Sequence, residues 1–145
     1  MKFLNSLQPL ALFLLRAALG IIFLTHGYPK LAKNVAGTQA FFVQHGLPSY
    51  FVYVSGVLEV FGGALLIVGL FTRWAGLLLG IEMAVAIWKV HSGGGVLAVH
   101  NYEFPLSLGV ACLALATVGA GMISFDHVLL REGGGRSKAP KGARN

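Results

Sequence analysis

Only five of the 145 residues are acidic, one is a cysteine, and charged residues of both signs make up 11% of the chain. Each scarcity excludes something. The lone thiol, Cys112, cannot close an internal disulfide, so a dithiol relay of the Cys-x-x-Cys kind is excluded within this chain. So little charge beside 56% hydrophobic residues and a mean hydropathy of +0.75 lies far from the soluble average and has the balance of a membrane protein. The net charge of +6 does not point to nucleic acid, because Arg131, Arg136, Lys138, Lys141 and Arg144 crowd into the stretch REGGGRSKAPKGARN. Residues 131–145 therefore read as a disordered basic tail that meets anionic lipid headgroups, and residues 1–130 as one membrane domain.

Apolar sequence, in contrast, comes in long runs. Leu10 to Tyr28, Tyr50 to Phe71, Trp74 to Val90 and Phe104 to Phe125 each approach the roughly 20 residues that cross a hydrocarbon core. The first run follows Lys2 as a signal peptide would, but Arg16 interrupts it and no small-x-small cleavage site follows. That favours a retained helix over a cleaved signal. The expected fold is an all-α membrane protein, a four-transmembrane-helix bundle with both termini on one side. Lys2, Arg73 and the five tail cations share that side against Lys30, Lys33 and Lys89 on the other, and seven against three places the termini in the cytoplasm. The first external loop is too long for a turn, and its AFFVQHG segment suits a short helix lying along the interface. Ser124, Phe125 and Asp126 are expected to mark the cytoplasmic exit of the fourth helix.

Acids at membrane depth stand out against this background. Glu59 lies nine residues below Tyr50 and Glu82 eight below Val90, which puts both about 12 to 14 Å from the external end. A charge at the centre of a span costs roughly 2.5 to 3.5 kcal/mol on insertion scales, so such groups face the bundle and find partners. The helical neighbours of Glu59 are Ser55, Gly56, Gly62 and Gly63, a small-residue face on which another helix can pack closely. Leu78, Leu79, Val85 and Ala86 mark no such face for Glu82. Arg16, about 9 Å above the cytoplasmic end, is the expected counter-ion, giving a structural ion pair of Arg16 with Glu59 or Glu82. Two acids against one base leave a carboxyl that can carry a proton.

Nearer the external end, His26 and Lys30 sit one turn apart on the first helix. Lys89 and His91 end the third, and His100 and Glu103 enter the fourth. Together these could line a pocket open to the outside and suited to proton exchange. No two of the histidines share a metal-ligand spacing on one helix, so no metal is expected. Cys112 reads as a small apolar core residue, and Tyr28, Tyr50, Tyr53, Trp74, Trp88 and Tyr102 as an interfacial belt.

Taken in order, these motifs resemble the DoxX family of small four-helix bacterial inner-membrane proteins. Over about residues 10 to 130 the series runs Arg16 followed by Leu19-Gly20, HGYPKL at 26–31, FF then GLP at 41–48, LEVFGGALLIVGLFTR at 58–73, VH at 90–91, NYEFPL at 101–106 and GAGMISFD at 119–126. The resemblance implies a multi-pass protein of the inner membrane and a tie to oxidoreduction, as in quinone-linked thiosulfate oxidation or redox-stress responses. It carries over Arg16, His26, Lys30, Glu59, Arg73, His91, Glu103 and Asp126 as the characteristic polar residues. Glu82, and Ala120 where a proline is common, depart from the pattern.

Two functions follow. In the first, the chain is the membrane subunit of a quinone-linked oxidoreductase: His26, Lys30 and His91 hold the quinone headgroup, while Glu59, His26 and Glu103 exchange its protons. No flavin, haem or iron-sulfur motif is visible, so electrons come from a redox partner protein or a bound substrate. In the second, the chain is a non-enzymatic scaffold or assembly protein binding a partner, lipid or further copies of itself.

Overall fold

In a computed structural model the chain is described over residues 2–91, 95 and 97–134. Residues 135–145, most of the basic tail, lie outside the described residues, as do 92–94 and 96 in the glycine-rich second loop. The described chain is helical: α1 (Lys2–Ser6), α2 (Gln8–Ala32), α3 (Val35–Gln44), α4 (Phe51–Val68), α5 (Thr72–Ala86) continued by a π-helical turn (Ile87–His91), α6 (Val99–Val118) and α7 (Phe125–Gly134). Among the described residues, four helices are long and apolar enough to cross a membrane: α2, α4, α5 with its π turn, and α6.

Their packing is that of a protein whose solvent is lipid. The buried set includes Arg16, Ser55, Glu59 and Thr72, while Leu14, Phe61, Trp74, Ile81 and Val110 face outward. With no hydrophobic force to drive helices together in lipid, close backbone approach has to hold them. A Cβ on Gly63 of α4 would lie 2.8 Å from the carbonyl oxygen of Gly20 on α2, and one on Gly27 would lie 2.7 Å from the Cβ of Glu59. Across the other pair, a Cβ on Gly76 of α5 would lie 2.7 Å from the Cys112 oxygen on α6. Leu19, Phe23, Leu66, Leu79 and Leu115 fill the space between the pairs, with Cys112 buried among them.

The fourth span is displaced from its expected place at Phe104 to Phe125. It occupies Val99–Val118, because Gly119 (φ +91°) and Gly121 (φ +77°) take left-handed backbone that ends the helix. Hydropathy continues through Met122, Ile123 and Phe125, but the helix does not.

Asp126 consequently sits in the first turn of α7 and folds back onto the α4–α5 turn. Its Oδ1 accepts from the Phe71 N–H at 2.8 Å and its Oδ2 from the Thr72 N–H at 2.9 Å. Its own N–H donates to the Gly69 carbonyl at 2.9 Å. The first N–H groups of a helix have no partner within it, so this carboxylate caps α5 from a distant part of the chain. Asp126→Ala is expected to cost about 1–2 kcal/mol, read as a lower unfolding midpoint in detergent. Asp126→Asn, with one acceptor oxygen, should retain part of that loss.

A helix does form in the loop between the first two spans. It is α3, which begins ahead of the expected AFFVQHG stretch and buries none of its residues.

Candidate functional site

The site grows from two one-turn spacings. On α2, His26 and Lys30 share a face; on α4, Ser55 and Glu59 do. Gly56 and Gly27 let those two helices approach, and a Cβ on Gly56 would lie 3.3 Å from the Cβ of Lys30. The lysine is thereby level with Gly56, and its long side chain reaches down to the carboxylate. Lys30 Nζ lies 2.8 Å from Glu59 Oε2, donates to Ser55 Oγ at 2.7 Å, and stands 5.8 Å from the centre of the Phe42 ring of α3. Ser55 Oγ donates in turn to Glu82 Oε1 of α5 at 2.5 Å. One ammonium, one hydroxyl and two carboxylates from three helices thus form a continuous chain. With both carboxyls ionised the cluster carries one net negative charge, which a single proton neutralises. Glu82 Oε2 is buried with no hydrogen-bond partner among the described residues.

This chain forms one wall of a cavity of about 510 Å³, whose other walls are apolar and aromatic, among them Phe23, Phe42, Phe51, Leu58 and Phe104. His26 and His91 line it as well. The Nδ1 of His26 lies 2.8 Å from the Ile22 carbonyl, and that of His91 lies 3.0 Å from the Ala86 carbonyl five residues back, across the π turn. A carbonyl oxygen only accepts, so both Nδ1 atoms carry the hydrogen. A neutral ring then offers its Nε2 as an acceptor. The π turn adds a residue to that stretch of helix and leaves both Val90 and His91 on the cavity wall.

The expected ion pair of Arg16 with Glu59 or Glu82 does not form. Arg16 belongs to the other end of the bundle, where its Nη2 donates to the carbonyl of Ile123 beside Gly69. The counter-ion of Glu59 is Lys30, because the glycine contacts set α2 and α4 in that register. Glu103 pairs instead with His100, at 3.1 Å on the exposed surface, and neither lines the cavity. Lys89 stands 4.4 Å from the centre of the exposed Trp88 ring, also outside it. Arg73 lies near Gly119 at the Arg16 end, where a Cβ on that glycine would be 3.2 Å from its Nε. The structure therefore brings together His26, Lys30, Glu59, Glu82 and His91, and separates Arg16, Arg73, Glu103 and Asp126 from them. Sequence reasoning missed Ser55 as a bridge and Phe42 as a wall. Its only hint of Ser55 was a small residue one turn from Glu59.

Comparison with known proteins gives a consistent result. The family model described as DoxX matches residues 11–92. A Bacillus subtilis (strain 168) protein named "Putative oxidoreductase CatD" is 34% identical over 127 residues, covering 88% of this chain and 92% of its own. From Escherichia coli (strain K12), "Inner membrane protein YqjF" is 27% identical over 127 residues, 86% of this chain and 96% of its own. "Inner membrane protein YphA" is 28% identical over 131 residues, 85% and 93% respectively. No solved structure matches the chain.

Proposed function

The chain belongs to the DoxX family, and on that premise we propose that it is the inner-membrane subunit of an oxidoreductase, binding a quinone headgroup in the cavity between α2, α3, α4, α5 and α6. The observation that carries the reading is the joint presence, on one largely apolar cavity, of two histidines tied through Nδ1 and a carboxylate chain ending in the unpartnered Glu82 Oε2. Binding pockets for small molecules run to about 300–1,000 Å³ and are mostly apolar with a few placed polar groups. A cavity of about 510 Å³ with this lining has room for a six-membered ring.

The histidine tautomers give the reading a direction. As acceptors, the neutral rings complement a hydroquinone, which donates two O–H groups, better than a quinone, which donates none. Oxidation of bound quinol breaks two O–H bonds and releases two protons and two electrons. His26 or His91 takes a proton at Nε2, and the Lys30–Ser55–Glu82 chain with Glu59 takes the other. The electrons pass to a redox partner protein. Reduction runs the same steps backward. The E. coli relatives named as inner-membrane proteins support that membrane as the location. The tie to oxidoreduction draws on the name of the B. subtilis relative.

Titration of the purified protein with a short-tailed, water-soluble quinol tests the proposal. The native chain is expected to bind it, and His26→Ala and Glu82→Gln are each expected to weaken binding by up to about tenfold, the worth of one hydrogen bond. A flat titration, or affinities that neither change moves, would leave the scaffold function in its place.

A further inference from the structure

Arg16 lies outside the quinone site, and the fold spends a good deal to keep it. An arginine cannot shed its charge and carries five N–H donors, and at 1% exposure this one is fully buried. Its Nη2 donates to the Ile123 carbonyl, while Nε and Nη1 have no hydrogen-bond partner among the described residues. The nearest acid does not supply one: Asp126 spends both oxygens on the Phe71 and Thr72 N–H groups. Gly69 leaves room for the guanidinium, since any Cβ there would overlap Nη1. The Phe13 ring lies 5.9 Å from Cζ.

Beside this group is a cavity of about 240 Å³, lined by Arg16, Ser124 and the apolar side chains of Ile67, Val68, Phe125 and Val128. Its depth follows from the helices that bound it. The C-terminal end of α4 at Val68 forms one side and the first turn of α7, beginning at Phe125, another. Both are places where the chain leaves the apolar slab, so the cavity lies at headgroup level. Val68 and Val128 are about half exposed, which makes them its rim. A guanidinium attracts a phosphate by its charge and its N–H donors, and basic pockets between membrane helices take anionic headgroups.

We propose that the Arg16 cavity is a binding site for a phosphate group, supplied by the headgroup of an anionic phospholipid. The charge of the guanidinium and its unpartnered N–H groups attract the phosphate, and the apolar rim takes the glycerol and the start of an acyl chain. A free phosphate shares the chemistry of the first contact and not of the second.

Native mass spectrometry of the full chain in a neutral detergent tests this, with phosphatidylglycerol, phosphatidylcholine and inorganic phosphate as probes. Phosphatidylglycerol is expected to be retained as a single tight adduct in preference to phosphatidylcholine. Its affinity should fall about tenfold or more in Arg16→Gln, which loses charge-assisted bonds, and similarly in Val128→Trp, which fills the cavity from its exposed rim. If Arg16→Gln fails to fold, Val128→Trp decides. Persistence of the adduct in excess inorganic phosphate identifies the lipid as the source. Displacement by phosphate, with the same sensitivity to both variants, keeps the anion site and overturns the lipid. Equal retention of the two lipids, or phosphatidylglycerol binding that neither variant weakens, overturns the site altogether.

Discussion

Lys30→Met is expected to destabilise the folded protein by about 3–5 kcal/mol, the cost of stripping one partner from a buried ion pair. The substitution keeps much of the side-chain volume and removes both the 2.8 Å contact with Glu59 and the 2.7 Å hydrogen bond to Ser55. The double variant Lys30→Met/Glu59→Gln should recover most of the loss, since Glu59 is then no longer a buried charge stripped of its partner. Unfolding titrations in mixed micelles measure both. A double variant no more stable than the single one would mean that the lysine acts through something other than Glu59. The two effects also separate stability from binding: the double variant should fold and still hold the quinol less well, because it lacks the Glu59 carboxylate and the Lys30 link to Ser55.

The second large effect concerns a methyl group. Gly63→Ala places a Cβ 2.8 Å from a backbone oxygen of α2, which cannot move aside as a side-chain end can. Overpacking of that kind costs about 1–3 kcal/mol, and here it also forces α2 away from α4, loosening the grip of Lys30 on Glu59. Gly80→Ala is the contrast. Its Cβ would meet Leu113 side-chain atoms at 3.4 Å, an ordinary contact. Alanine is favoured over glycine in a helix by roughly 1 kcal/mol, so Gly80→Ala should be neutral or stabilising. Opposite signs for two Gly→Ala changes in the same bundle are measurable as opposite shifts of the thermal midpoint. Equal shifts would mean that backbone contact is not what holds α2 to α4.

Much of this molecule was legible before its structure was known, for reasons that can be named. Lipid demands about 20 apolar residues per crossing helix, so the spans announce themselves. The inward face of Glu59 could be read from Ser55, Gly56, Gly62 and Gly63, all of which are buried. The counter-ion could not, because it depends on how far α2 is slid along α4, and that register is set by contacts such as Gly27 on Glu59. Depth counted from span ends favoured Arg16. The glycine contacts lower Lys30 onto the carboxylate and leave Arg16 level with Gly69. The end of the fourth span was hidden for a different reason. Backbone conformation at Gly119 and Gly121 stops the helix where hydropathy runs on. Glu82 is the converse: no polar neighbour on its own helix marks it, and its partner, Ser55, belongs to α4.

The central claim is that the cavity between α2, α3, α4, α5 and α6 holds a quinone, and mass spectrometry of an organic extract from gently purified protein tests it most directly. The account predicts quinone or quinol stoichiometric with the chain, lost from His26→Ala and Glu59→Gln but retained by Arg16→Gln, whose site is at the other end of the bundle. Extracts holding phospholipid alone, or quinone in amounts that His26→Ala and Glu59→Gln leave unchanged, would contradict it.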